Sequence, residues 1–120
     1  MRALLAAFAV LFLSFGTASA QSRQDFVLVN KTGYEISKVF VSASKTNDWE
    51  EDVLGDNSLE DDESLTIRFR NAGKTCSYDI KVVYEEDDSE AIWAGIDLCK
   101  TEKVTIFYNK KTDTTSATFD

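Results

Sequence analysis

The chain has no histidine and no proline, and its 120 residues include two cysteines and one methionine. Without histidine there is no Ser-His or Cys-His nucleophile pair and no imidazole ligand for zinc. Two cysteines are too few for a zinc-finger or iron–sulfur cage. Basic residues are scarce as well. Thirteen Lys and Arg face 21 Asp and Glu, a formal net charge of -8, which argues against a nucleic-acid backbone as partner. What is present is a hydrophobic share of 43% and an aromatic share of 12%. That composition suits one packed domain and is too apolar for a disordered chain.

The one long apolar run lies at the start. Met1-Arg2 is positive, Ala3 to Phe15 is apolar except Ser14, and Ala18-Ser19-Ala20 has the small-residue pattern of a cleavage site. These parts predict a secretory signal over residues 1–20, cleaved before Gln21, with a single domain over 21–120. The apolar run is 13 residues, short of the roughly 20 that span a bilayer. The residue directly after the cleavage site is Gln21 and not cysteine, so no lipid anchor is expected after processing. Export implies an oxidising compartment, where Cys76 and Cys99 are expected to pair as a disulfide. The midpoint of the two lies between Asp87 and Asp88, where a hairpin turn is expected. A four-residue loop, Glu86 to Ser89, would set the cysteines opposite each other at a close pair of an antiparallel ladder.

Strand periodicity runs through the rest, and no segment reads as a helix. Phe26–Asn30 is the first strand, and Asn30 to Gly33 follows as a turn. Tyr34–Ser42 is the second strand, and its apolar phase requires a bulge near Ser37-Lys38. Ala43–Glu63 is a long polar connection anchored by Leu54 and Leu59, with room for a short extra strand near Val53-Leu54. Ser64–Arg70 and Cys76–Tyr84 alternate cleanly. In Glu90–Leu98 the disulfide register sets Trp93 and Gly95 opposite Val82 and Ile80. It turns Ile92, Ile96 and Leu98 to the other face unless Gly95 marks a bulge. Lys103–Asn109 and the Thr-rich edge strand Thr114–Phe119 complete the set. The fold class is all-β: a single antiparallel β-sandwich of about six to seven strands.

Three segments carry a resemblance. They are Asp25 to Tyr34, Val39 to Ser42 with Asp48 to Gly55, and Cys76-x-Tyr78-Asp79-Ile80-Lys81 with Asp97-Leu98-Cys99. Through them the chain resembles a group of small exported alphaproteobacterial β-rich proteins without an established function, often mislabelled argininosuccinate lyase. That enzyme is a large helical tetramer, and this chain is neither long nor helical. The resemblance implies a bacterial periplasm and carries no site residues. It also leaves the glycosylation-like triplet Asn30-Lys31-Thr32 without consequence.

Acidic residues are concentrated in two stretches. Asp48 to Glu63 holds nine acids and no base, and Glu85 to Glu90 holds five more, so the two hold 14 of the 21. If successive strands alternate direction, both stretches fall at one end of the sandwich. Lys31, Arg70, Lys74, Lys100 and Lys103 then fall at the other. Crowding would raise the average pKa of the acids. The plainest role of such loops is solubility and edge protection. A sharper role is a weak Ca²⁺ site, with Asp48, Asp52, Asp56, Glu86, Asp87 and Asp88 as oxygen ligands, although EF-hand spacing is absent. A carboxylate pair could also serve acid–base hydrolysis. Trp49 is open to packing, ligand stacking or protein contact, whereas Trp93 reads as core. The leading reading is a non-enzymatic periplasmic binding or interaction module, with an envelope protein or a small ligand as partner. The alternatives are a Ca²⁺-responsive domain and a carboxylate-based hydrolase.

Overall fold

The computed structural model describes residues 22–46 and 48–120. The expected signal, residues 1–20, lies outside them. Seven strands form: β1 (Phe26–Lys31), β2 (Ile36–Ala43), β3 (Ser64–Ile67), β4 (Ser77–Tyr84), β5 (Glu90–Asp97), β6 (Lys103–Asn109) and β7 (Thr114–Phe119). They make two sheets, β3-β1-β6-β7 and β2-β4-β5. Every pairing is antiparallel except β1 with β6, which run parallel. The fold is an all-β sandwich. Alternation drives it: Phe26 and Leu28 of β1, Ile80 and Val82 of β4, and Val104 and Ile106 of β6 point inward and share one apolar core.

The anticipated bulge in β2 forms, with the register against β4 slipping between Ile36 and Lys38. Ile36 and Val39 are thereby both fully buried. A second slip falls in the β4–β5 pair, between Tyr78 and Ile80. Gly95 takes up the extra residue with φ +67, a left-handed conformation that glycine adopts without penalty. Ala91 and Trp93 before the bulge and Ile96 and Leu98 after it are all buried, while Ile92 is 50% exposed. The expected register therefore needs correction. Trp93 lies opposite Ile80, Ala91 lies opposite Val82, and the four-residue loop is 85–88, closed by Tyr84 N–H donating to Ser89 O at 2.9 Å. Cys76 and Cys99 are joined by a disulfide, with Cα atoms 5.1 Å apart. The bulge brings the cysteines together from a hairpin whose turn is one residue earlier than expected. The bond is compatible with an oxidising, exported location.

Strand β3 stops at Ile67, short of the expected Arg70. Phe69 N–H donates to the Asp25 carboxylate at 2.8 Å, and Ser22 Oγ donates to Phe69 O at 3.0 Å. The N-terminal segment thus takes the groups a longer strand would offer to β1. No strand forms at Val53-Leu54, but Leu54 and Leu59 are buried anchors as expected.

The connection 44–63 determines the architecture. It leaves β2 at Ala43, beside Tyr78, and enters β3 at Ser64, opposite Val29. It therefore travels the length of the sandwich instead of closing one end. Midway, Val53 N–H donates to Val39 O at 2.8 Å, and further on Leu59 exchanges main-chain hydrogen bonds with Ile36. The strict alternation expected for the loops fails here. The β1–β2 turn and loop 85–88 share one end, joined by Glu85 N–H to Glu35 O at 3.0 Å. Lys31 sits at that acidic end, paired with Asp62 at 2.7 Å. On the opposite flank the sheets are tied by Trp93 Nε1–H, which donates to Ser116 O of β7 at 3.0 Å.

Asn30 organises the β1–β2 turn. It is fully buried. Its Nδ2 donates to Tyr34 O and Leu59 O at 2.8 and 3.0 Å. Its Oδ1 accepts from Thr32 N–H and Thr32 Oγ1 at 3.0 and 2.6 Å. Every hydrogen-bonding group of that amide is used inside the protein, so it is not presented for glycosylation.

Candidate functional site

Two concave surfaces among the described residues combine exposed core side chains with charge. The first is a cleft of about 970 Å³ along the flank where β2 and β3 are the outer strands. Val41, Leu65, Ile67, Phe69 and Tyr78 contribute its apolar floor. Lys45, Arg68 and Arg70 stand on its rim with Asp48, Glu50 and Glu51. The main-chain groups here follow from the ladder phase. Asn30 N–H bonds Glu63 O, and β1–β3 pairing alternates from that point. Leu65 and Ile67 therefore turn their main-chain groups toward β1, and Thr66 turns its groups outward. On the facing strand, Val39 N–H is taken by Asp52 Oδ1 at 2.9 Å and Val39 O by Val53 N–H. Val41, two residues on, presents its main chain in the same direction beyond the reach of that clasp.

The second is a pocket of about 390 Å³ at the end shared by the β1–β2 turn and loop 85–88. Tyr34, Tyr84 and Tyr108 cluster there, with ring centroids 6.2, 5.9 and 6.3 Å apart in edge-on and tilted contacts. Tyr108 Oη donates to Asp113 Oδ1 at 2.9 Å. That carboxylate holds the phenol proton and raises the Tyr108 pKa. Tyr84 is 8% exposed, and its hydroxyl is shielded from solvent without a hydrogen-bond partner among the described residues. The Thr32 hydroxyl, which already donates to Asn30, stands close enough to act on Tyr84 as a hydrogen-bond neighbour. Burial pushes the Tyr84 phenol up, and Thr32 offsets only part of that. A buried polar group left unmatched costs roughly 1–3 kcal/mol. Glu86, Asp87, Glu90 and Asp113 rim the pocket against one ammonium, Lys110.

The six acids considered as cation ligands are not brought to one place. Asp48 and Asp52 line the flank cleft, and Glu86 and Asp87 line the tyrosine pocket. Asp56 is exposed in the turn after Leu54, and Asp88 is exposed in loop 85–88 with φ 60. Several acids have local structural duties. Asp52 Oδ1 also accepts Leu54 N–H at 3.0 Å, and Asp61 accepts Gly33 N–H at 2.7 Å. Asp87 accepts Ser89 Oγ–H and Ser89 N–H at 2.7 and 3.0 Å, which lowers its pKa. Crowding was expected to move it the other way, but local donors win over distant like charges in water. Among the described residues, the Cys, Asp and Glu side chains close enough to share an ion are Cys76, Asp97 and Cys99, and the two sulfurs there are already bonded to each other. Trp49 lies on the outer face of the β2-β4-β5 sheet. Lys81 Nζ stands 5.0 Å from its ring centroid and 4.9 Å from that of Phe40.

The tyrosines were not singled out from sequence. Tyr84 closes the alternating segment Cys76–Tyr84 and Tyr108 falls within Lys103–Asn109, with nothing local to mark either as part of a site. Bringing them to Tyr34 requires the lengthwise path of 44–63, which no local pattern encodes. Comparison with protein-family models, with curated proteins and with solved structures finds no match.

Proposed function

We propose that the protein is a non-enzymatic binding or interaction module of the bacterial periplasm, and that the β2–β3 flank receives an extended segment of an envelope protein. The observation that carries this reading is the cleft itself. Core side chains are reachable between the outer strands β2 and β3, of which β3 turns its main chain outward at Thr66 and β2 does so at Val41, beyond the stretch that 44–63 clasps. An edge of this kind accepts a further strand, with main-chain hydrogen bonds for affinity and alternate side chains for specificity. Arg68 and Arg70 on one rim and Glu50 and Glu51 on the other favour a segment carrying charges of both signs. The lack of histidine and the bonding of both cysteines support a non-enzymatic role. The resemblance to small exported alphaproteobacterial proteins, together with the disulfide, supports the periplasm. A photo-crosslinking residue at Thr66 tests the proposal in cells, with the same residue at Lys111 as control. A discrete adduct at Thr66, lost with Arg68→Glu and missing at Lys111, is expected. Equal labelling at both positions would reject the cleft as the partner surface.

A further inference from the structure

We infer that β7 is a self-association edge, and that a second copy of this chain pairs with it antiparallel across a two-fold axis. The contact lies on the flank opposite the cleft, because β3 and β7 are the two outer strands of one sheet. The inference therefore does not rest on the proposed function. Four strands form sheet edges, and β2 and β3 of these border the cleft. β5 is broken by the bulge at Gly95 and carries Glu90 and Asp97. β7 runs for six residues, Thr-Thr-Ser-Ala-Thr-Phe, without a charge, proline, glycine or register shift. Edge strands are ordinarily blunted by such devices, and a regular uncharged edge is a template for another strand.

The ladder phase fixes which groups β7 offers. Asp120 exchanges both main-chain hydrogen bonds with Lys103, at 2.9 and 3.1 Å. Thr118, Ser116 and Thr114 therefore bond to β6, and Thr115, Ala117 and Phe119 turn their N–H and C=O groups outward. The Trp93 indole reaches Ser116 O and leaves those groups free. Pairing with Ala117 on the axis sets Phe119 against Thr115 of the second copy. Phe119 is 50% exposed beside Val104, and this pairing covers it. The occupant is an identical strand because the flanking charges are self-complementary. Lys110, Lys111 and Asp113 stand at the turn before β7, and Asp113 already accepts from Tyr108. Glu102 and Asp120 stand at the other end with Lys103, joined by Glu102 N–H to Asp120 O at 2.7 Å. Lys110, Lys111, Glu102 and Asp120 are all exposed, and among the described residues none is in an ion pair. Antiparallel pairing brings the two lysines of each copy to the two acids of the other. It also sends the acidic ends, marked by Glu86 and Asp87 near Asp113, to opposite extremes of the dimer.

The test is sedimentation equilibrium of the disulfide-bonded protein across a dilution series. A single added ladder buries less than the roughly 1,200 Å² of a standard interface, so a dimer that dissociates on dilution is expected. Thr115→Pro removes an outward N–H and leaves the bonds to β6 in place, a position where an edge strand tolerates proline. It should be monomeric with a melting temperature near that of wild type. The charge variants decide the arrangement and hold even if the proline disturbs folding. Lys110→Glu/Lys111→Glu and Glu102→Lys/Asp120→Lys should each weaken self-association about tenfold. Mixed together, they should associate as well as wild type, since each end then meets its opposite. Asp56→Lys, on an exposed turn elsewhere, should leave association unchanged. A photo-reactive residue at Lys111 should give a cross-linked dimer of this chain, set apart by its mass from an envelope-protein adduct at Thr66. Wild-type protein that stays monomeric up to about 1 mM would overturn the inference. So would a dimer left intact by a folded Thr115→Pro, or a mixture of the charge variants no more associated than its components.

Discussion

Asp79 Oδ1 accepts the amide proton of Gly95 at 2.9 Å, across the β4–β5 pair at the point where its register slips. The same oxygen accepts Ser44 Oγ–H at 2.7 Å. One half-buried carboxylate therefore fixes both the bulge and the start of the 44–63 connection. Asp79→Ala should cost about 1–2 kcal/mol through these two bonds. Gly95→Ala should cost a similar ~1–2 kcal/mol, and for a different reason. A Cβ there meets no atom within 4 Å, so the penalty is the left-handed backbone alone. Urea denaturation of both variants checks this. A loss much larger for Gly95→Ala would mean that crowding, not φ, governs the position.

The disulfide closes a sequence separation of 23. Loop-closure entropy assigns such a link roughly 3 kcal/mol. The Cys76→Ala/Cys99→Ala variant should accordingly melt about 10–20 °C lower. Thiol labelling under denaturing conditions should find no free thiol in the oxidised protein. Two reactive thiols would contradict the pairing, and an unchanged melting temperature would place the stabilisation elsewhere.

Much of this fold can be read from the sequence because it is local. The apolar phase of Lys103–Asn109 and the Thr-rich run Thr114–Phe119 delimit β6 and β7 to the residue, and the broken phase of Ile36 and Val39 reveals the β2 bulge. Gly95 marks the second bulge through the conflict between Trp93 and Ile96. The candidate sites are less accessible. Whether loop 85–88 meets the β1–β2 turn depends on where 44–63 travels. That path is set by Leu54 and Leu59 finding the core and by Asp52 and Asp79 finding distant partners. A polar stretch carries no periodicity from which to infer it. The parallel β1–β6 pair has the same origin, since it joins strands separated by most of the domain. The acidic runs stood out because charge is visible in sequence. The tyrosines, spaced through three elements, did not.

Asn30 offers a sharp contrast between polar loss and apolar gain. Four internal hydrogen bonds end on its amide. Asn30→Ala takes one of two donors from Tyr34 O and from Leu59 O, which keep Thr32 Oγ1–H and Ile36 N–H, and leaves the Thr32 N–H without its acceptor. It should destabilise by about 1–3 kcal/mol, the cost of an orphaned buried group. Asn30→Asp keeps the shape but replaces a donor by an acceptor facing two carbonyls, and should be as damaging. Chemical denaturation measures both. A mild effect of Asn30→Asp would show that the turn can rearrange around the charge.

Asp52 separates a structural acid from a cation ligand. Its Oδ1 accepts from Val39 and Leu54 N–H, so Asp52→Ala should lose about 1–2 kcal/mol. Asp56→Ala, at an exposed turn, should fall within about 0.5 kcal/mol of wild type. Because Asp48 and Asp52 lie in a different cavity from Glu86 and Asp87, Ca²⁺ should raise the melting temperature no more than NaCl of equal ionic strength. A specific Ca²⁺ shift abolished by Asp52→Asn or Asp87→Asn would restore the cation site.

Alkaline pH should destabilise the protein through its tyrosines. Burial raises the folded pKa of Tyr84 and Tyr78, and hydrogen bonding to Asp113 raises that of Tyr108, all from an ordinary value of 10.0. Lys31 is raised in the same sense by its hydrogen bond to Asp62. For a group whose folded pKa exceeds its unfolded value, the unfolded chain gives up its proton first as pH rises. The contribution is fully present below the unfolded pKa and is lost as pH climbs through the folded one. The melting temperature should therefore decline above about pH 10 through these groups. Near-ultraviolet absorbance should show phenolate appearing at higher pH in the folded protein than in denaturant. Asp113→Asn should bring Tyr108 ionisation earlier, because the carboxylate that holds its proton is gone. Folded and denatured protein ionising at the same pH would mean that Tyr84 is open to water, and the tyrosine pocket would lose its buried hydroxyl.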